Sequence, residues 1–273
     1  MARRLTLVAG GGNLVPYIAD SIRGSGVPVQ VLDLVGRGDL AGDQVVPATL
    51  DAPSDIIEAI RAFRPTHLVL AGGVQISDAQ REGIARAFGL LGKAAGGLGD
   101  LGLAGAILLF CTANRIKLVG AHEVAPELLA PLGHIAGPPV DPEASKLAAH
   151  AAKTARAVGA IDLGQSVVLA GRRPVSAEDA GGTDALLARV AALRAGGLTG
   201  NGLAPLIFAK ARKPKQPAFV DLPAIGPQTV RNAAAAGIQI IAVEAKATLL
   251  LDRSVLEQAA NESGVSIIGV RGD

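Results

Sequence analysis

Short apolar runs alternate along the chain with longer stretches whose apolar residues recur at helical spacing, and this alternation sets the expected fold. In the first half, Leu5–Ala9, Val29–Leu32, His67–Ala71 and Ile116–Val119 read as short strands. Helices are predicted after the first strand through Ser25, over Ser54–Phe63 with Ser54 as N-cap, and over Ser77–Phe88. The stretch Gly89–Gly105 is glycine-dense and carries a turn at Gly99-Asp100. In the second half, Pro142–Val158 is alanine-rich and helical. Leu163–Leu169 turns into a strand, and Val175–Asp179 is expected to pair with it. Further strands are predicted at Leu206–Ala209, Ile238–Val243 and Val265–Val270. The helices between them are placed at Ala185–Leu193, at Gln228–Ala236 and at a segment ending at Asn261.

Gly133–Asp141 is rich in glycine and proline and reads as a linker. The expected organisation is therefore an N-terminal domain over 1–132, a linker over 133–141 and a C-terminal domain over 142–273. Strands alternating with helices predict two α/β domains, the first Rossmann-like with a mostly parallel sheet.

Composition narrows the function classes. Of 273 residues, 49% are hydrophobic but only 2% aromatic, so the core must be built from Ala, Val, Leu and Ile. That scarcity, with a net charge of only +2, argues against a base-stacking or polyanion-binding surface, and no nucleic-acid partner is expected. One cysteine, Cys111, excludes an intramolecular disulfide and a cysteine-based zinc site. It lies in an apolar run and is expected to be a buried structural thiol. The start runs straight into a strand without a signal-like apolar region, and no apolar run reaches about 18 residues. A cytoplasmic protein is expected, with peripheral contact with the inner-membrane surface left open.

Candidate chemistry concentrates in Lys210–Val230. Lys210, Arg212, Lys213 and Lys215 follow an apolar run, and Asp221 stands alone between Val220 and Leu222 before Gly226-Pro227 opens a helix. Strand, cations, one carboxylate and a helix start suit a phosphorylated ligand, because cations and first-turn N–H groups both offset phosphate charge. The same residues also describe a solvated basic loop beside a capping aspartate. Gly10-Gly11-Gly12-Asn13 after the first strand suits phosphate approach, or tight packing, but its spacing is not the full dinucleotide fingerprint. His122 and Glu123 follow a strand end, whereas His67 stands at a strand's beginning and is expected to be structural. Thr183 and Asp184 either cap a helix or contact phosphate or Mg²⁺, which selects hard oxygen ligands. Strand ends at Gly164-Gln165, Lys210 and Glu244 are expected to gather their polar residues on one rim.

Several motifs then coincide in one order: Gly120-Ala-His-Glu, Asp162-Leu-Gly-Gln-Ser-Val-Val, Gly182-Thr-Asp-Ala, Lys210 through Lys213-Pro to Gln216, Val220-Asp-Leu-Pro-Ala-Ile-Gly, and Val243-Glu-Ala through Leu251-Asp-Arg. With Gly10-Gly-Gly-Asn-Leu-Val-Pro, the chain resembles the LpxI-type UDP-2,3-diacylglucosamine pyrophosphatases over nearly its whole length. The resemblance implies an Mg²⁺-dependent hydrolase of lipid A biosynthesis that splits an acylated nucleotide-sugar into UMP and 2,3-diacylglucosamine 1-phosphate. It also implies Asp221 as the essential acid and, with Asp184, a metal ligand; Lys210 and Lys213 are implied as catalytic cations. Gly11, Gly12, Asn13, His122, Glu123, Gln165, Thr183 and Gln216 are implied as substrate-binding positions. The chain departs from the family pattern at Leu101, Gly181, Pro217 and Phe219, where charged residues are usual. Those departures support a rival reading, a relative that binds such a ligand without hydrolysing it. A nicotinamide-dependent oxidoreductase, suggested by Gly10–Gly12, is a further rival.

Overall fold

A computed structural model describes residues 2–40, 44–87, 99–200, 202, 204–214 and 222–272, with side chains left aside at 99–104. The chain divides into two compact units, the first containing Met1–Pro126 and the second beginning at Glu127.

The first unit is built on a five-stranded parallel sheet of order β3-β2-β1-β4-β5. Its strands are β1 (Leu5–Ala9), β2 (Val29–Asp33), β3 (Gln44–Pro47), β4 (His67–Ala71) and β5 (Lys117–Val119). Parallel neighbours need crossovers; helix α1 (Leu14–Gly24) joins β1 to β2, α2 (Pro53–Phe63) joins β3 to β4, and α3 (Asp78–Ala87) and α4 (Gly99–Ala113) lie between β4 and β5. The strand order is that of a Rossmann-like half. Pro53 takes the first helical position of α2, so Ala52 rather than Ser54 is its cap, because proline needs no N–H there. The glycine-dense stretch ends in α4, whose apolar residues Phe110 and Cys111 are buried against Leu32, Ile57, Ile60 and Leu68. A short helix α5 (Ala121–Val124) follows β5.

Burial pushes the Cys111 thiol up to about 11. Thiolate is the reactive form, so the folded protein is expected to resist a disulfide reagent at pH 8 and to titrate one thiol only in denaturant. Rapid labelling of the native protein would contradict this burial.

The second unit carries a six-stranded mixed sheet of order β6-β13-β11-β9-β7-β8. Its strands are β6 (Gly133–Ala136), β7 (Ser166–Ala170), β8 (Arg173–Ala177), β9 (Leu206–Lys210), β11 (Ile240–Glu244) and β13 (Ser266–Val270). A separate pair joins β10 (Ala224–Ile225) to β12 (Leu249–Leu250). Helix α6 (Pro142–Ala160) covers one face. It starts where Asp141 accepts the Ala144 N–H at 2.8 Å, and Ala148, Ala151, Ala152 and Ala155 bring it close to Val167, Ile207 and Ala242. Helices α7 (Gly182–Ala195), α8 (Pro227–Ala235) and α9 (Arg253–Ser263) supply the core on the other face, including Leu186, Leu187, Val230 and Leu256 against Val168, Phe208 and Val243.

The expected linker begins instead with a strand. Gly133–Ala136 is an edge strand antiparallel to β13, so this stretch is part of the second sheet. Its glycines serve geometry: Gly133 and Gly137 both have positive φ, and a Cβ on Gly137 would lie 2.0 Å from the Val265 carbonyl oxygen.

Candidate functional site

Antiparallel pairing of β7 with β9 brings the start of one to the end of the other, with Ser166 opposite Lys210. Side chains alternate between faces along a strand, so Ser166 shares a face with Val168, and Lys210 with Phe208. Val168 and Phe208 pack in the core beneath α7, so Lys210 points toward that helix's first turn. There its Nζ donates to Thr183 Oγ1 at 3.0 Å. Thr183 in turn donates to Glu178 Oε1 at 3.1 Å, and Glu178 Oε2 accepts the Gln165 N–H at 3.0 Å. Lys210 is 7% exposed and Glu178 8%. A buried ammonium and a buried carboxylate are each costly alone; linked through one hydroxyl they hold each other's place.

Gly164 permits this closeness, since a Cβ there would lie 2.5 Å from the Glu178 carbonyl oxygen. Beside the chain of bonds lies an open cavity of about 340 Å³, lined by Asp162, Leu163, Gly164, Gln165, Glu178, Asp179, Ala180 and Lys213. Lys213 Nζ donates to Asp162 Oδ1 at 2.7 Å, and this bond and charge hold the Asp162 carboxyl below the usual carboxylate range. The cavity wall thus carries the Lys213 ammonium among the carboxylates of Asp162, Glu178 and Asp179, while the Lys210 ammonium and the Thr183 hydroxyl adjoin it through Glu178.

The other expected site residues are placed as follows. Gln165 lines the cavity, and its main-chain N–H anchors Glu178. Asp184 lies exposed in the first turn of α7, where Oδ1 accepts from Asn232 Nδ2 at 2.9 Å. Asp221 and Gln216 lie outside the described residues, as does Lys215. Glu244 does not join the Lys210 face. Lys210 is registered with Val243, so Glu244 projects to the α6 side, where it accepts from Arg156 Nη1 at 2.6 Å and the Arg212 N–H at 3.0 Å.

In the first unit, Gly11 and Gly73 exchange N–H···O bonds of 2.8 and 3.0 Å, and a Cβ on Gly10 would lie 2.7 Å from the Gly73 oxygen. This glycine turn therefore serves tight packing of the two loops that follow β1 and β4. Arg37 Nη1 donates to the Gly10 and Gly12 carbonyl oxygens, both at 2.9 Å. Asn13 is the exposed N-cap of α1 and makes no side-chain capping bond. Asp33, at the end of β2, accepts the N–H groups of Val35, Gly36 and Arg37, so its carboxylate is committed to its own loop. That commitment argues against the ribose-binding acid of a dinucleotide site.

Glu123 holds the Gly120 N–H at 3.1 Å and Lys117 Nζ at 2.9 Å. Burial raises its pKa, but those two partners more than offset this and leave it below the ordinary value. His122 has a buried Nδ1 with no hydrogen-bond partner among the described residues. An apolar cavity of about 260 Å³ also lies in this unit, its lining side chains including Val8, Ile56, Leu68, Leu70, Ile84 and Phe110.

Among the described residues no group of three or more His, Cys, Asp or Glu side chains could hold a metal ion. The acid at the start of α7 that could offer an oxygen to a divalent cation is Asp184, already half engaged by Asn232.

Sequence reasoning did not single out Glu178, which it placed only within the strand expected over Val175–Asp179. The signal was in the hairpin: with Gly171-Arg172 at the turn, Ala170 pairs with Arg173, and a one-residue shift between Val168 and Leu169 then sets Val167 opposite Ala177. Glu178 follows at once, its N–H bonded to the Ser166 carbonyl oxygen at 2.9 Å.

Comparison with known proteins gives matches across both units. Residues 4–128 match the LpxI N-terminal domain and residues 131–268 the LpxI C-terminal domain. The chain is 32% identical to UDP-2,3-diacylglucosamine pyrophosphatase LpxI of Caulobacter vibrioides, over 98% of each chain. Among solved structures, UDP-glucose 4-epimerase of Thermus thermophilus in complex with NAD is 18% identical, covering 99% of this chain and 88% of its own, with a TM-score of 0.32. Glycinamide-RNase-transformylase T of Mycobacterium tuberculosis is also 18% identical, covering 64% and 44%, with a TM-score of 0.25.

Proposed function

The chain belongs to the LpxI family, and we propose that it hydrolyses the pyrophosphate of UDP-2,3-diacylglucosamine to UMP and 2,3-diacylglucosamine 1-phosphate in lipid A biosynthesis. The observation that carries this reading is the likeness to a pyrophosphatase of this specificity over 98% of both chains. The rim of the second sheet supports it chemically. Lys210 is held by Thr183 on a rigid strand end, and Lys213 lines the adjoining cavity. Charge developing on phosphoryl oxygens during in-line attack by water would meet donors already in place, which is how most rate gain in such reactions arises. In this reading the protein works in the cytoplasm, with its acylated substrate presented at the inner-membrane surface. No described helix is long and apolar enough to cross a membrane.

Mg²⁺ belongs to the proposal. Asp221 and Asp184 are the residues that would hold it, and bound there it would offset pyrophosphate charge. Hydrolysis is expected to stop on chelation with EDTA and to return when excess Mg²⁺ is restored, read as UMP released from UDP-2,3-diacylglucosamine. Turnover unchanged by EDTA would remove the metal from the account. An Asp221→Asn variant that hydrolyses like the parent would remove that acid from the site.

A further inference from the structure

Ser166 is fully buried, and its hydroxyl has no hydrogen-bond partner among the described residues. A buried, unbonded hydroxyl is a cost to the folded state, and alanine would fill the same position on β7 without it. Its place in the fold is specific. Ser166 is directly opposite Lys210 in the β7–β9 register, and both side chains lie on the face toward α7. Directly opposed residues on neighbouring antiparallel strands carry their Cβ atoms about 4.5–5.5 Å apart. Ser166 therefore lies at the base of the lysine side chain whose ammonium reaches Thr183.

We propose that Ser166 is a substrate-contact residue, its hydroxyl donating to a phosphoryl oxygen of the pyrophosphate that Lys210 also engages. This deepens the pyrophosphatase reading and rests on its phosphate site. An oxygen anion supplies the acceptor that the hydroxyl lacks. The donor left unpaired among the described residues becomes one of the bonds that hold the ligand. Thr199 provides the internal comparison. It is also buried, with its hydroxyl unpartnered among the described residues, but it follows the far end of α7, away from the β7–β9 strand ends.

The test compares Ser166→Ala, Thr199→Val and the parent by calorimetric binding of inorganic pyrophosphate, by UMP release and by melting temperature. A hydrogen bond to a charged group predicts roughly tenfold weaker pyrophosphate binding and roughly tenfold lower kcat/KM for Ser166→Ala. Its melting temperature should be equal or higher, and Thr199→Val should match the parent in binding and turnover. Ser166→Ala with parental binding and turnover would overturn the proposal, as would a loss of both accompanied by a lower melting temperature. Were the parent to bind pyrophosphate without releasing UMP, the hydrolase reading would fall. The contact would still be judged by the binding ratio alone.

Discussion

Lys210→Met is expected to lower UMP release by about a hundredfold to a thousandfold, the usual cost of removing one positioned charge-stabilising donor. Methionine keeps most of the length and apolar stem of lysine, so the packing of β9 beneath α7 should survive. What disappears is the ammonium that Thr183 accepts at 3.0 Å. Because the residue is 7% exposed, water cannot substitute for the missing charge as it would on an open surface. The expected pattern is a fall in kcat with a parental far-ultraviolet spectrum. A Lys210→Met protein with undiminished kcat/KM would show that the buried lysine only supports the fold.

Glu178→Ala is expected to damage both stability and turnover. The carboxylate receives two donors, the Gln165 N–H and the Thr183 hydroxyl, and removing it leaves both unpaired next to a buried cation. One unsatisfied buried donor costs about 1–3 kcal/mol, so denaturant unfolding should show a loss of at least that size. Glu178→Gln separates the two effects. It keeps the volume and can accept one of the bonds, but it cannot accept both donors at once through its amide end. Thr183 would then turn, and its bond with Lys210 would be lost. A smaller loss of stability than in Glu178→Ala with a clear loss of kcat in Glu178→Gln would identify Glu178 as a positioning residue. Parental kcat in both variants would confine it to packing.

Most strands and helices were legible from their apolar periodicity, whereas β3 (Gln44–Pro47), β6 (Gly133–Ala136) and α4 (Gly99–Ala113) were not. The β7–β9 rim was partly legible too, since strand ends at Gln165 and Lys210 do meet. Glu244 was misjudged because chain position gives a strand's end but not its facing. One residue of register sends Glu244 to Arg156 on the α6 side and leaves Lys210 on the other. The supposed linker failed for a different reason. Gly133 and Gly137 signal backbone geometry at the two ends of β6, and composition alone does not separate that from flexibility. The Gly10–Gly12 turn offered two readings from sequence, and Gly73 decides what occupies it: a backbone, packed closer than any side chain would allow. Glu178 was hidden because its importance comes from hairpin register and from a hydroxyl on the next helix, neither of which its neighbours in sequence express.

The most direct test of the central claim is to incubate the purified protein with UDP-2,3-diacylglucosamine and Mg²⁺ and to follow both products by mass spectrometry. The account predicts UMP and 2,3-diacylglucosamine 1-phosphate in equal amounts, rising together with time and enzyme concentration. Tight binding of the substrate with neither product formed would contradict hydrolysis and leave a ligand-binding member of the family.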